Sequence, residues 1–108
     1  MGTWTWNPDT NDAFYSDKMY QLFGLMPNEV KPGFVTIPQF IHVKDRERVF
    51  REAANIKEGQ EPVEIQYKVI RKDGAERIFR NRVKLIRTER GDKIFVGTTQ
   101  DVTEEEGG

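Results

Sequence analysis

Hydrophobic and polar residues alternate with period two at both ends of the chain and with helical period between them. Residues 3–7, Thr-Trp-Thr-Trp-Asn, place both indoles on one face of a predicted strand. Turn-forming residues fill 8–12, and 13–16 return as a short second strand. Ser16 then stands as N-cap of a helix over 17–23, whose stripe is Met19, Tyr20, Leu22 and Phe23, with Gly24 as its stop. Pro27 pre-sets a further brief helical turn in 26–30, and 31–33 read as loop. Thr36 followed by Gln39 has the spacing of a capping box. The strongest helical pattern runs over 44–59: Val49, Ala53 and Ile56 share a face, Phe50 and Ala54 flank it, and Gly59 ends it.

Three strands are predicted after that helix, over 62–70, 76–86 and 93–101, with turns at 73–75 and 88–92. Pairing Val69 with Phe79 also pairs Tyr67 with Asn81, Ile65 with Val83 and Val63 with Leu85. Pairing Leu85 with Phe95 pairs Val83 with Gly97 and Asn81 with Thr99. Every such pair keeps to one face, as cross-strand geometry requires. The element order is therefore two strands, a helical cluster, then a three-stranded meander, an α+β arrangement with helices on a single sheet face.

Length and composition narrow what such a domain can do. The 108 residues suffice for one core and not for two. Lys and Arg number 17 against 18 Asp and Glu, so no net basic field invites nucleic acid or an anionic membrane. Apolar runs are too short to span a bilayer, and no secretory leader is read at the start. The absence of cysteine removes disulfides, thiolate metal sites, cysteine nucleophiles and cysteinyl-flavin photochemistry. A single histidine, His42, gives no metal cluster, so no metal site is predicted. Asp45, Glu47 and Glu52 alternate with Arg46, Arg48 and Arg51, which is the pattern of a solvated helix face and not of a general acid. No catalytic residues are assigned, and an enzyme is not expected.

Five segments in order carry a family resemblance. Gly-Thr-Trp-Thr-Trp-Asn (2–7) resembles the opening G-x-W-x-W-D strand of PAS domains found in bacterial sensor kinases and cyclic-dinucleotide enzymes. Residues 15–29 are similar to that branch's W-S-D-x-x-x-x-L-x-G-Y-x-P-x-E segment, and 42–49 to its H-P-D-D-R-x-x-V helix start. Residues 70–78 resemble its hairpin, and 96–104 its closing V-G-x-x-x-D-I-T-E. Val43 and Lys44 depart from the histidine step, Ile78 stands where Trp is usual, and Asn7 replaces an Asp. The resemblance implies a five-stranded antiparallel sheet of order 2-1-5-4-3, with short helices and one longer helix on one face. It covers a single domain, with 2–103 as core and 104–108 as the start of a linker cut short or an artificial end. It also implies that Asp101-Val102-Thr103 close the last strand and hand a signal to an attached helix, so Asp101 and Thr103 are the candidate relay residues.

The predicted register sets Tyr67, Val69, Phe79, Asn81, Val83, Phe95, Gly97 and Thr99 on the inner face, opposite Phe40, Ile41, Val49, Phe50 and Ala53. The candidate ligand pocket comprises Phe40, Ile41, Phe50, Tyr67, Val69, Phe79, Asn81, Phe95, Gly97 and Thr99, apolar apart from a few polar groups. The alternative is that the same residues close into a packed core, which is the preferred reading. No cofactor is identified. Flavin-binding relatives imply amides at Val69, Phe79 and Thr99, where none stands, and haem-binding relatives imply a His on the long helix, where there is none.

On the outer face, Ile70 is expected opposite Ile78 and Ile86 opposite Ile94, with Val96 nearby. These five form the candidate interface, covered either by an N-terminal helix outside the given sequence or by a second copy, and this reading is preferred to scattered surface hydrophobes because a face meant only for water would not carry them. The resulting reading is a non-enzymatic sensory and signal-relay module of a bacterial signal-transduction protein, homodimeric and cytoplasmic, with a kinase or cyclase as output domain. Membrane attachment of the parent is left open. The alternative is a receptor holding an unidentified small molecule between the inner sheet face and the helices.

Overall fold

The computed structural model describes residues 1–33 and 38–106. The expected capping box at Thr36 falls partly outside them. Strands β1 (Gly2–Trp6) and β2 (Ala13–Tyr15) lead into helix α1 (Asp17–Leu22). A single 3-10 turn, Pro38–Phe40, precedes helix α2 (Val43–Ala54), and β3 (Val63–Ile70), β4 (Glu76–Arg87), β5 (Lys93–Asp101) and the short helix α3 (Thr103–Glu106) complete the chain. The five strands form one antiparallel sheet in the order β2-β1-β5-β4-β3, as expected.

Local chemistry explains the element ends. The Ser16 side chain accepts a hydrogen bond from the Met19 amide, as an N-cap should. His42 caps α2 in the same way, its Nδ1 accepting from Lys44 N. Residues 26–30 form a turn and not a helix, closed by Glu29, whose amide bonds Met26 O and whose carboxylate takes the Met26 amide. Helix α2 stops at Ala54, short of the expected Gly59. Ile56 turns into the core there, and Glu58 is drawn to the sheet, bridging Leu85 and binding Arg87 through both carboxylate oxygens.

The β4–β5 register is the expected one, with Leu85 opposite Phe95 and Asn81 opposite Thr99. The β3–β4 register differs by two residues: Tyr67 faces Phe79, Ile65 faces Asn81, and Val63 faces Val83. The turn decides this. Gly74 N bonds Arg71 O and Arg71 N bonds Ala75 O, so the closing pair is Arg71–Ala75 around a loop of 72–74. Gly74 takes the left-handed conformation at φ 89°, as the last residue of a three-residue hairpin loop does. A shift by two preserves which face each side chain occupies, so the inner and outer sets survive. It does change the neighbours: Ile70 faces Glu76, and Ile78 faces Lys68, so the expected Ile70–Ile78 pair does not form.

The core lies between the inner sheet face and the helices. Met19, Tyr20 and Phe23 from α1 and its end, Val49 from α2, and Ile65, Tyr67, Val69, Phe79, Val83 and Leu85 from the sheet are all buried. Phe23 meets Phe79 edge-on at 5.1 Å and packs against Phe40 at 5.6 Å. No described helix is long and apolar enough to cross a membrane.

Candidate ligand cavity and exit latch

A cavity of about 140 Å³ remains between the helices and one half of the inner sheet face. Five of the expected pocket residues line it: Ile41, Phe50, Tyr67, Asn81 and Phe95. The other five lie beside it. Val69 and Phe79 are sealed in the core, and Phe40 packs on Phe23. Gly97 lies beneath the Trp4 indole, which approaches so closely that a β-carbon there would stand 2.3 Å from its Cζ2. Thr99 is fully buried, with its hydroxyl bonded to the same indole.

Sequence reasoning missed the other half of the wall. Trp4 and Trp6 of β1, Ala13 and Tyr15 of β2, Met19 of α1 and Gly33 all line the cavity. The signal was present, because alternation put both indoles on one face and β1 lies beside β5. Trp6 stacks on Phe95 at 5.6 Å, and with half-buried Ala13, Phe50 and Ala53 it forms the more open end.

A hydrogen-bond chain runs through the wall, and it starts from a group that can only donate. Trp4 Nε1 can only donate, and it donates to Thr99 Oγ1 at 3.1 Å. The Thr99 hydroxyl must then give its own proton elsewhere, and it donates to Asn81 Oδ1 at 2.7 Å. Tyr67 also donates to Asn81 Oδ1, at 3.2 Å. In this orientation the Asn81 oxygen is used twice, and its nitrogen has no hydrogen-bond partner among the described residues. The Tyr15 hydroxyl is occupied at both ends, donating to Gly33 O at 3.1 Å and accepting from Gly33 N at 3.2 Å. Burial pushes the Tyr15 phenol up to about 12, against the pull of the Gly33 bond. Burial also raises Tyr67, against the bond to Asn81. Both are neutral wall groups at ordinary pH.

At the far end of β5 the chain leaves the sheet through a second network. Asp101 Oδ2 accepts from Arg77 Nε at 2.7 Å, and Oδ1 accepts from the Thr103 hydroxyl at 2.6 Å and the Thr103 amide at 3.0 Å. Thr103 Oγ1 accepts from Ile78 N at 2.8 Å, and Val102 N bonds Ile78 O at 2.8 Å. Burial pushes the Asp101 carboxyl up, but Arg77 and the two Thr103 bonds outweigh it and hold the group below its ordinary range. Val102 is buried beneath this latch. Arg80 adds an ion pair to Glu105 at 3.9 Å in α3.

The remaining candidates have structural settings. His42 is a helix cap, outside the cavity wall. Asp45 accepts the Lys68 amide at 2.9 Å, Glu52 pairs with Arg48 at 3.0 Å, and Glu47 pairs with Arg51 at 4.0 Å. Outside, Ile86 does face Ile94, and Val96 sits in a row with Thr5 and Phe14. Phe14 is 58% exposed and Ile70 42%. Sequence reasoning did not mark Phe14.

A family model described as PAS fold matches residues 12–99. Among solved structures, a sensory box histidine kinase/response regulator from Burkholderia thailandensis is 25% identical, with a TM-score of 0.79 over 98% of this chain and 79% of that one. The N-terminal domain of a diguanylate cyclase with PAS/PAC sensor from Marinobacter aquaeolei is 21% identical, with a TM-score of 0.81 over 96% of each chain. A PAS domain of an HTR-like protein from Haloarcula marismortui is 17% identical, with a TM-score of 0.72 over 93% of this chain and 79% of that one. No curated protein matches the sequence significantly.

Proposed function

The chain belongs to the PAS fold family, matched over residues 12–99, and from that premise we propose that it is a non-enzymatic sensory module of a bacterial signal-transduction protein. It relays the state of its interior to an output domain through Asp101 and Thr103. The likeness to the Burkholderia kinase supports a kinase as that output, with a cyclase as the alternative suggested by the Marinobacter fold neighbour.

The observation that carries the reading is the composition of one strand. The inner face of β5 presents Phe95 to the cavity, Gly97 to Trp4, Thr99 to the Trp4–Asn81 chain and Asp101 to the exit latch. A change in the cavity that moves Trp4 or Asn81 acts on Thr99, two residues before the latch. The mechanism is a population shift between two geometries of that strand end, biased by what fills the cavity. The receptor reading thus supplies the input of the relay.

Dimerisation is a second reading, favoured by the outer-face residues Phe14 and Val96 in one cross-strand row and Ile94 and Ile86 in another. In that reading a second copy covers those residues. Sedimentation of the wild-type protein against Ile94→Asp tests it, since an isologous dimer on this face dissociates in the variant.

Relay is tested by growing a side chain into the cavity from α2 with Ala53→Leu. Amide signals of Val102, Thr103 and Glu104 are expected to shift along with those of the cavity wall. Shifts confined to the wall would end the relay reading.

A further inference from the structure

We propose that the cavity is a site for a neutral, single-ring molecule of about six to eight non-hydrogen atoms that carries one oxygen acceptor, such as a cyclic ketone or an aryl ether. The proposal rests on the reading above, in which the cavity is where the input enters, and names the chemical class that the wall selects.

Size comes first. The cavity measures about 140 Å³. An apolar cavity of roughly 150 Å³ holds benzene, whereas sites for drug-sized ligands run from about 300 Å³ upward. One ring fits. A nucleotide, a flavin or a haem does not, without the wall moving apart.

Charge comes second. The wall is built from aromatic side chains such as Trp4, Trp6, Tyr15, Tyr67 and Phe95 together with Asn81 and small and aliphatic residues, and none of the described wall residues is charged at neutral pH. An anion entering would shed water with nothing of opposite charge to meet it, a large penalty. Carboxylates are excluded on that ground.

Polarity comes third, and it is specific. Among the described wall residues the side-chain donors are almost wholly used internally. Trp4 N–H goes to Thr99, Trp6 N–H to Asn11 at 2.8 Å, Tyr15 to Gly33 and Tyr67 to Asn81. The Asn81 amide nitrogen is the side-chain donor that remains, and an amide nitrogen can only donate. The occupant it prefers therefore offers an acceptor. A saturated or aromatic hydrocarbon fills the space but leaves that N–H without a partner.

The test is titration of the isotope-labelled protein with cyclohexanone, benzene and benzoate, following amide signals of Ile65, Tyr67, Asn81 and Phe95. Cyclohexanone is expected to shift them saturably at one site. Benzene should bind roughly 3- to 10-fold more weakly, the ratio set by one neutral hydrogen bond, and benzoate should give no saturable shift. Asn81→Leu should erase the advantage of the ketone over benzene. Ala53→Leu should exclude both rings while leaving a dispersed, folded spectrum, so that the proposal stands even if Asn81→Leu fails to fold. Benzoate binding as well as the ketone, equal affinity for ketone and benzene, or no wall shift with any ring would each overturn the ligand class. Signals of Val102 and Thr103 report separately on the relay. If rings bind in the expected order and these two stay still, the class stands and the relay falls. If no ring binds but Thr99→Val moves them, the relay stands and the class falls.

Discussion

The Trp4 indole lies directly on Gly97, its partner across the β1–β5 pairing, with room for no other residue: an added β-carbon would stand 2.3 Å from Cζ2 and 2.4 Å from Cε2. Gly97→Ala should therefore tilt the ring off β5 and break its bond to Thr99. The expected loss is about 1–3 kcal/mol, the usual cost of overpacking, read from urea unfolding followed by tryptophan fluorescence. Trp4→Ala in the Gly97→Ala background should cost less than the sum of the two single changes. Strict additivity would mean that the contact carries no strain to relieve.

Thr99→Val keeps the shape of a fully buried side chain and deletes its hydroxyl. Trp4 then loses its acceptor and Asn81 one of its donors. Leaving a buried N–H without a partner costs roughly 1–3 kcal/mol. Calorimetric or urea unfolding should give a loss in that range, with a changed indole emission. A neutral substitution would mean that water satisfies both groups.

Most of the architecture was legible because alternation fixes faces. The strand set, the order β2-β1-β5-β4-β3 and the inner-facing core residues agree with the sequence pattern and the family resemblance. The first hairpin register was not legible from the face pattern alone, since a slip of two residues moves no side chain to the other face. The turn held the missing information. Gly91 sits in the second hairpin as Gly74 does in the first, with Gly91 N bonding Thr88 O and Thr88 N bonding Asp92 O. Each glycine precedes its closing residue and has φ near 88–89°. Applying the second turn's geometry to the first would have given Arg71–Ala75 at once. The cavity was half legible. Its β3–β5 wall follows from the meander, but its β1 wall needed Trp4 laid over Gly97, a tertiary contact that no local period encodes.

Asp101 makes the exit latch sensitive to acid. Its carboxyl is held below the ordinary range, so the folded state binds its proton less readily than the unfolded state does. The stabilisation is therefore complete above the unfolded value, about pH 3.9, and is lost as pH falls through the lower folded value. Glu29, held down by its bond to Lys72, and Glu58, held down by Arg87, act in the same direction. Asp101→Asn should cost about 1 kcal/mol at neutral pH and flatten the decline below about pH 4, without abolishing it. Unfolding midpoints across that range check this. Parallel curves for the two proteins would show that Asp101 ionisation is not linked to folding.

All three tyrosines should resist ionisation in the folded protein. Burial raises Tyr67 and Tyr20 and brings Tyr15 to about 12. A raised phenol stabilises the fold below the unfolded value, about pH 10, and that contribution is lost as pH climbs through the folded value. Phenolate absorbance should therefore lag behind that of the denatured chain above pH 10, then rise steeply as the fold gives way. A smooth titration centred on the ordinary phenol value, with the fold intact, would contradict the buried positions of Tyr15 and Tyr67.

The sheet has two edge strands, β2 and β3. The exposed backbone groups of β3 would template another strand if left open. The α2 end of the molecule closes part of that edge. Asp45 accepts the Lys68 amide, His42 N bonds Lys68 O at 2.8 Å, and Arg48 donates to Gln66 O at 2.6 Å. Ile41 forms a bridge to Val69 just beyond. The Asp45 side chain is only 18% exposed, and its geometry suits this cover rather than proton transfer. Asp45→Ala should leave the Lys68 amide without an acceptor, at a cost of about 1–2 kcal/mol. It should also raise concentration-dependent self-association, measurable by light scattering, while Asp45→Asn restores much of the cover through its amide oxygen. If Asp45→Ala remains as monodisperse and as stable as wild type, the edge is protected by His42, Arg48 and Ile41 without it.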